Sequence, residues 1–180
     1  MVLELSIMKK NIIEKTSAIK LFVMDVDGTL TNGRVYYSAN GEELKKFSIR
    51  DGMGIELLKL AGIELAIITS ENSNIVKARA SKLKIENLIL GSRNKKSSLL
   101  ELTDSLKLNL DNVAYIGDDV NDIPAMELAG LSGCPADATD EVKKISDYVC
   151  TLKGGKGAVR EFAELILKNQ NKSITLPENW

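Results

Sequence analysis

Histidine is absent from the 180 residues. Its absence excludes Ser-His-Asp and Cys-His nucleophilic mechanisms and every His-ligated metal site. Cysteine is scarce: Cys134 and Cys150 form no CxxC pair. A zinc site or disulfide framework is therefore not expected, a reducing compartment fits, and both thiols read as small buried apolar residues. No apolar run approaches the ~20 residues that span a bilayer, which predicts no membrane partner. The opening MVLELSIMKKN lacks a charged region followed by an apolar stretch, so it is not a secretory signal. A soluble, cytoplasmic protein is expected. An excess of positive charge is also missing. Lys and Arg number 24 against 25 Asp and Glu, where a nucleic-acid binder normally carries a basic stripe. No nucleic-acid partner is expected. Chemistry must then run on carboxylates, hydroxyls, lysine, arginine or a hard metal.

The length predicts about one domain, and 44% hydrophobic residues suffice for a core. No repeat, low-complexity segment or Pro/Gly-rich linker divides the chain. Short apolar runs alternate with helical patterns instead. LFVMDVDG (Leu21 to Gly28), ELAIITS (Glu64 to Ser70), NLILG (Asn87 to Gly91) and NVAYIGDD (Asn112 to Asp119) read as strands buried on both faces. Runs around Leu131 and at Asp147–Thr151 read as edge strands. Helices are expected over Gly54 to Ala61, stopping at Gly62, and near Ser98 to Lys107, opening on Ser98 and Glu101 at capping-box spacing. A further helix is capped by Asp122, with Pro124 in its first turn. The last runs from Gly157 to Lys168. The tail, 169–180, is polar and expected to be mobile.

This alternation predicts an α/β, Rossmann-like open parallel sheet with helices on both faces. The core covers about 20–168 of a single domain spanning 1–180. One segment interrupts the pattern. Residues 34–48 hold two extended stretches around Asn40-Gly41, which predicts a β-hairpin inserted after the first strand, with no separate cap domain.

In open α/β sheets, ligands bind at the carboxyl ends of the strands. Asp25 and Asp27, Thr69 and Ser70, and Asp118, Asp119 and Asp122 fall there. Two carboxylates just past a buried strand cannot both belong to a core. An EF-hand fails because Gly28 directly follows Asp27 and no Glu stands at the twelfth position. If the first and fourth strands are neighbours, the two acidic clusters converge, and an oxygen-rich site suits Mg²⁺. A strand-end hydroxyl and an ammonium would hold phosphate oxygens. Spacing alone does not choose between Lys95 and Lys96. GSRNKKS lacks the second glycine of a phosphate-binding NTPase loop. A phosphorylated receiver domain uses similar residues, but there the acidic pair comes first and the acceptor later.

The order DxDGT, strand-end Thr, Lys, then GDDxxD resembles the haloacid dehalogenase superfamily of phosphatases, over about Leu21 to Leu167. That resemblance implies Asp25 as a nucleophile forming an aspartyl-phosphate and Asp27 as general acid and base. Thr69, Ser70 and Lys95 would hold the phosphoryl group. Mg²⁺ would sit between the Asp25 carboxylate, the Asp27 backbone carbonyl and the Asp118 carboxylate, with Asp119 and Asp122 in support. The hairpin ANGEELKKFS, the segment IRDGMGI and the late GGKGAVRE are similar to the capless phosphatases acting on phosphorylated 2-keto-3-deoxy sugar acids. The most similar group is the 3-deoxy-D-manno-octulosonate 8-phosphate phosphatases of lipopolysaccharide synthesis. It implies a homotetramer with sites closed by a neighbouring subunit. Its substrate contacts would fall on Asp27, Ser48, Ile49, Arg50, Asp51, Gly52, Arg79, Lys95 and Arg160, the last in a segment reaching across an interface. The arginines suit a carboxylate, although each also reads as a solvated surface charge. Ser70-Glu71 and Glu56 depart from that group. Glu71 resembles relatives acting on nonulosonate 9-phosphates, and an idle tetramerisation module is the alternative of another class.

Overall fold

The computed structural model describes residues 12–178, so the opening segment through residue 11, assessed above as a signal, and the last two residues lie outside the described part. A helix whose described part covers residues 12–17 (α1) leads into β1 (Leu21–Met24). The hairpin β2 (Thr31–Ser38) and β3 (Gly41–Phe47) follows, then α2 (Ile49–Leu60), β4 (Glu64–Ile68), α3 (Asn74–Leu83) and β5 (Asn87–Ile89). The chain continues through α4 (Lys95–Ser105), β6 (Val113–Ile116), α5 (Ile123–Met126), β7 (Leu131–Cys134), α6 (Asp140–Ile145), β8 (Tyr148–Val149) and α7 (Ala158–Asn169). Six strands form one sheet in the order β5-β4-β1-β6-β7-β8, and every pairing is parallel. Among the described residues the hairpin is the insertion between β1 and α2.

The near-continuous apolar strands are buried on both faces because alternate side chains feed two separate cores. Phe22, Met24, Leu65, Ile67, Ala114 and Ile116 pack with α2, α3 and α7. Leu21, Val23, Ala66, Ile68, Val113 and Tyr115 pack with α4, α5 and α6. Each fully buried large side chain contributes about 1.5–3 kcal/mol. The cysteines divide the same way: Cys134 belongs to the second core and Cys150 to the first. No helix among the described residues is long and apolar enough to cross a membrane.

Several boundaries differ from expectation for local reasons. Helix α2 starts five residues earlier than Gly54, because Ser48 caps it by accepting the Asp51 N–H at 3.3 Å. Its glycine at position 54 is a packing requirement: a Cβ there would lie 2.8 Å from Arg160 Cα on α7. Helix α4 is capped by Asn94, which accepts the Ser97 N–H at 3.1 Å, so Ser98 lies inside it. Asp122 precedes α5 but makes no side-chain cap to it; its carboxylate turns back to the Asp118 and Asp119 N–H groups. The hairpin turn is Ala39-Asn40, one residue before the expected pair, with Gly41 at φ 112° opening β3. The tail is not simply free. Ile174 and Leu176 pack against the core, and Lys172 donates to the Ala61 carbonyl at 2.6 Å.

The register positions the site. Met24 pairs with both Ile67 and Ile116, so β1 and β6 end level and β4 one residue beyond. The ladder runs one residue further, with the Asp25 N–H donating to Ile116 O and the Thr69 N–H to Ile89 O, both at 3.0 Å. Beyond this line the backbone turns, and the side chains of four loops meet.

Candidate active site at the carboxyl ends of the strands

Asp25 leaves β1 directly into this edge and is 5% exposed. Lys95, the first residue of α4, places its Nζ between Asp25 Oδ1 at 2.6 Å and Asp122 Oδ1 at 2.7 Å. Lys95 is buried and Lys96 exposed, which settles the choice that spacing left open. Asp122 is fully buried and also accepts the Tyr115 hydroxyl at 2.9 Å, a bond rising from β6 below the site. Asp118 accepts the Thr29 hydroxyl at 3.0 Å. Gly28 makes room for it: at φ 98°, a Cβ on that residue would lie 1.9 Å from Asp118 Oδ2.

Among the described residues, one oxygen from each of Asp25, Asp118 and Asp122 lies within 4.8 Å of the other two. Three carboxylates thus crowd a desolvated place in which the Lys95 ammonium pairs with two of them, Asp25 and Asp122. Burial, then the neighbouring Asp122 charge, pushes Asp25 well above the usual carboxylate range, against the opposing pull of Lys95. Burial followed by Asp122 lifts Asp118 to about 7. Burial alone would lower the Lys95 pKa, but Asp25 and Asp122 raise it, so this lysine is a fixed positive charge. The surplus of hard oxygen ligands over positive charge fits a divalent cation.

The Asp27 carboxylate stands outside this cluster, against the hairpin. Lys45 of β3 donates to both its oxygens, at 2.6 and 2.7 Å. Thr69 is buried at the end of β4, its hydroxyl accepting the Glu71 N–H at 3.4 Å, and the Ser70 hydroxyl accepts from Asn121 Nδ2 at 3.1 Å. Asp119, expected to support the metal, stands exposed outside the carboxylate cluster and accepts the Val120 N–H at 2.7 Å.

The residues expected at the substrate form a second group. Ile49, 86% exposed, lines a groove of about 280 Å³ with Gly52, Met53, Glu56, Arg79 and Leu83. Arg50 beside it is exposed. Arg79 donates from Nη2 to the Ser48 carbonyl at 3.0 Å and lies over the Phe47 ring at 5.5 Å. Its guanidinium requires Gly52, whose Cβ would lie 2.7 Å from Nη2. Asp51 and Arg160 are occupied otherwise. The Asp51 carboxylate is buried and accepts the Gly157 and Arg160 N–H groups at 3.2 and 3.0 Å, capping α7 from α2. The Arg160 guanidinium donates from Nε to Glu164 at 2.7 Å, along its own helix. The glycine loop before α7 packs within its own chain: Gly155 N–H donates to Thr29 O at 3.0 Å, and a Cβ on Gly154 would lie 1.7 Å from Gly28 O.

Tyr115, Thr29, Lys45, Glu42 and Ser73 were not singled out from the sequence. Thr29 closes the DxDGT motif but was given no role there, and Tyr115 sits in a strand where nothing but three-dimensional proximity marks it. Period-two alternation separates Lys45 from Lys46 without saying which one turns inward.

Residues 65–162 match the family model of haloacid dehalogenase-like hydrolases. The 3-deoxy-D-manno-octulosonate 8-phosphate phosphatase of Escherichia coli K12 is 43% identical over 162 residues, covering 90% of this chain and 86% of that protein. A crystal structure of the Moraxella catarrhalis phosphatase of the same name, in complex with magnesium ion, phosphate ion and a KDO molecule, is 45% identical. It superimposes with a TM-score of 0.86, covering 89% of this chain and 92% of that one. The cobalt-bound Haemophilus influenzae phosphatase gives 41% identity and a TM-score of 0.86 over 88% of this chain and 93% of its own. With the family model spanning more than half the chain and full-length relatives at this identity, the chain belongs to the haloacid dehalogenase-like hydrolases.

Proposed function

We propose that this chain is a Mg²⁺-dependent phosphomonoester hydrolase that cleaves 3-deoxy-D-manno-octulosonate 8-phosphate to the free sugar acid and phosphate. The observation that carries the chemistry is Asp25, held by Lys95 beside Asp118 where the strands end. The names of the relatives, 43% identical over most of the chain, support the eight-carbon substrate. The proposal includes action in the cytoplasm, in lipopolysaccharide precursor synthesis, as a homotetramer.

Asp25, Asp118 and the Asp27 backbone carbonyl would hold the metal, with Asp122 adjoining. A bound Mg²⁺ supplies charge neutralisation for the phosphoryl oxygens. In the first half-reaction an Asp25 carboxylate oxygen attacks phosphorus. The P–O ester bond breaks, and the proton of the Asp27 carboxyl passes to the departing sugar oxygen. In the second, the Asp27 carboxylate takes a proton from water as that water attacks phosphorus. The bond to Asp25 breaks, releasing phosphate and restoring both carboxyl groups. Thr69 and Ser70 orient the phosphoryl group, and the buried Lys95 ammonium opposes its charge. Arg79 in its groove would meet the substrate's carboxylate end.

Phosphate release with Mg²⁺ on octulosonate 8-phosphate and on a nonulosonate 9-phosphate tests the proposal. The expected result is a kcat/KM for the eight-carbon acid at least ~10-fold higher, the scale of discrimination an ordinary pocket achieves, with turnover abolished in a folded Asp25→Asn variant. A preference for the nine-carbon acid would overturn the substrate. Silence on both, with Mg²⁺ bound, would overturn the catalysis and leave the idle module.

A further inference from the structure

The hairpin is mostly turned to solvent: Tyr36, Tyr37 and Leu44 are exposed, and so is Lys46. Lys45 is the contrary case, with a side chain only 1% exposed. Burying an ammonium on a flexible stem is costly unless its donors are satisfied. Here the ammonium donates to Asp27 Oδ1 at 2.6 Å and Oδ2 at 2.7 Å and pairs with Glu42 Oε2 at 3.1 Å. Glu42 is fixed in turn, its other oxygen accepting the hydroxyl of Ser73, the residue that precedes α3. A continuous run, Ser73–Glu42–Lys45–Asp27, therefore ties the start of α3 and the hairpin to the loop after β1.

A grip on both oxygens fixes the rotation of a carboxyl group as well as its place. A general acid needs that, since its proton must lie within hydrogen-bond reach of one particular ester oxygen. We infer that Lys45 is a positioning residue for Asp27, holding its carboxyl in the orientation from which it delivers a proton to the departing sugar oxygen. This rests on Asp27 being the acid and base. When the P–O bond breaks, the protonated oxygen of Asp27 faces the leaving oxygen and gives up its proton there. That oxygen, once protonated, gives up its bond to Lys45, which keeps the other Asp27 oxygen and Glu42 as acceptors.

Leaving-group dependence separates this role from a merely structural one. An alkyl ester needs its leaving oxygen protonated, whereas p-nitrophenyl phosphate loses a stable phenolate with little help. Correct general acid catalysis contributes ~10²–10⁴-fold. Lys45→Met should therefore lower kcat on the sugar-acid ester by at least ~10-fold, and on p-nitrophenyl phosphate by no more than ~3-fold, as a misaimed acid would. Asp27→Asn, measured alongside, should split the two esters in the same order. An equal loss on both esters in Lys45→Met, or no loss on either, while Asp27→Asn does split them, overturns the role of Lys45 alone. Absence of the split in Asp27→Asn overturns the acid/base reading and this inference with it. Should Met at this buried place prevent folding, Lys45→Gln, one atom shorter but with an N–H donor and no charge, is compared and judged identically.

Discussion

Gly28 shows how one missing methyl group sets the geometry of the site. Its φ of 98° and the 1.9 Å approach of Asp118 to the place of its Cβ leave no room for alanine. Gly28→Ala must displace the Asp118 carboxylate. It should weaken Mg²⁺ affinity by about 10- to 100-fold, the usual cost of disturbing a ligand's support. Titration of Mg²⁺ into the variant by calorimetry, against the native protein, checks this; unchanged affinity would detach Asp118 from the metal. The same scale shows what a single sequence discloses. The convergence of Asp25 and Asp118 was legible because unpaired acids at the end of an apolar strand do not belong in a core. Lys95 was half legible, since two adjacent lysines differ only in which one the helix turns inward. Asp51 and Arg160 were placed by resemblance at the substrate. In the fold, Asp51 caps a helix about a hundred residues further along the chain, a contact that spacing does not carry, and Arg160 pairs with Glu164 along its own helix.

At the scale of elements, Glu161 secures the segment that leads from β8 to α7. Its carboxylate accepts from the Tyr148 hydroxyl at 2.9 Å, the Thr151 N–H at 2.8 Å, the Thr151 hydroxyl at 3.0 Å and the Leu152 N–H at 2.9 Å. Partial burial works against the charge, but the hydrogen bonds prevail and hold its pKa below the ordinary 4.5. A depressed carboxylate contributes stability that is fully present above its unfolded value and lost as pH falls through the folded one. Glu161→Gln should thus be less stable than the native chain by about 1–2 kcal/mol at neutral pH, the cost of weakening charge-assisted bonds. The gap should close as pH drops below 4.5. Urea unfolding at pH 7 and near pH 3.5 measures both arms, and a gap independent of pH would refute the assignment. Existence and type of the strands were readable from continuous apolar character. Helix starts were not, because Ser48 and Asn94 compete with equally plausible caps downstream. The tail misled because its polar composition conceals Ile174 and Leu176, which pack against the core shared by α2, α3 and α7.

At the scale of the whole molecule, the hairpin exposes Tyr36, Tyr37 and Leu44 at 64%, 68% and 61% on an element that stands apart from the parallel sheet. Three large apolar side chains on one hairpin are costly to leave wet. Sedimentation equilibrium of the native chain should give a tetramer, and Tyr37→Lys should shift it to smaller species with a fall in kcat/KM. A fully active monomer would refute closure by a neighbour. The sheet's architecture was legible from alternation alone. The two-sided core it creates has one more consequence. Cys134 ends β7 and Cys150 lies just past β8, its N–H donating to the Cys134 carbonyl at 2.8 Å, yet the two side chains face opposite layers, one beneath α4–α6 and the other against α7. Each thiol becomes reactive only when its own layer separates from the sheet. The chain thus carries an intrinsic pair of chemical clocks, one per layer, able to record which side of the sandwich breathes first.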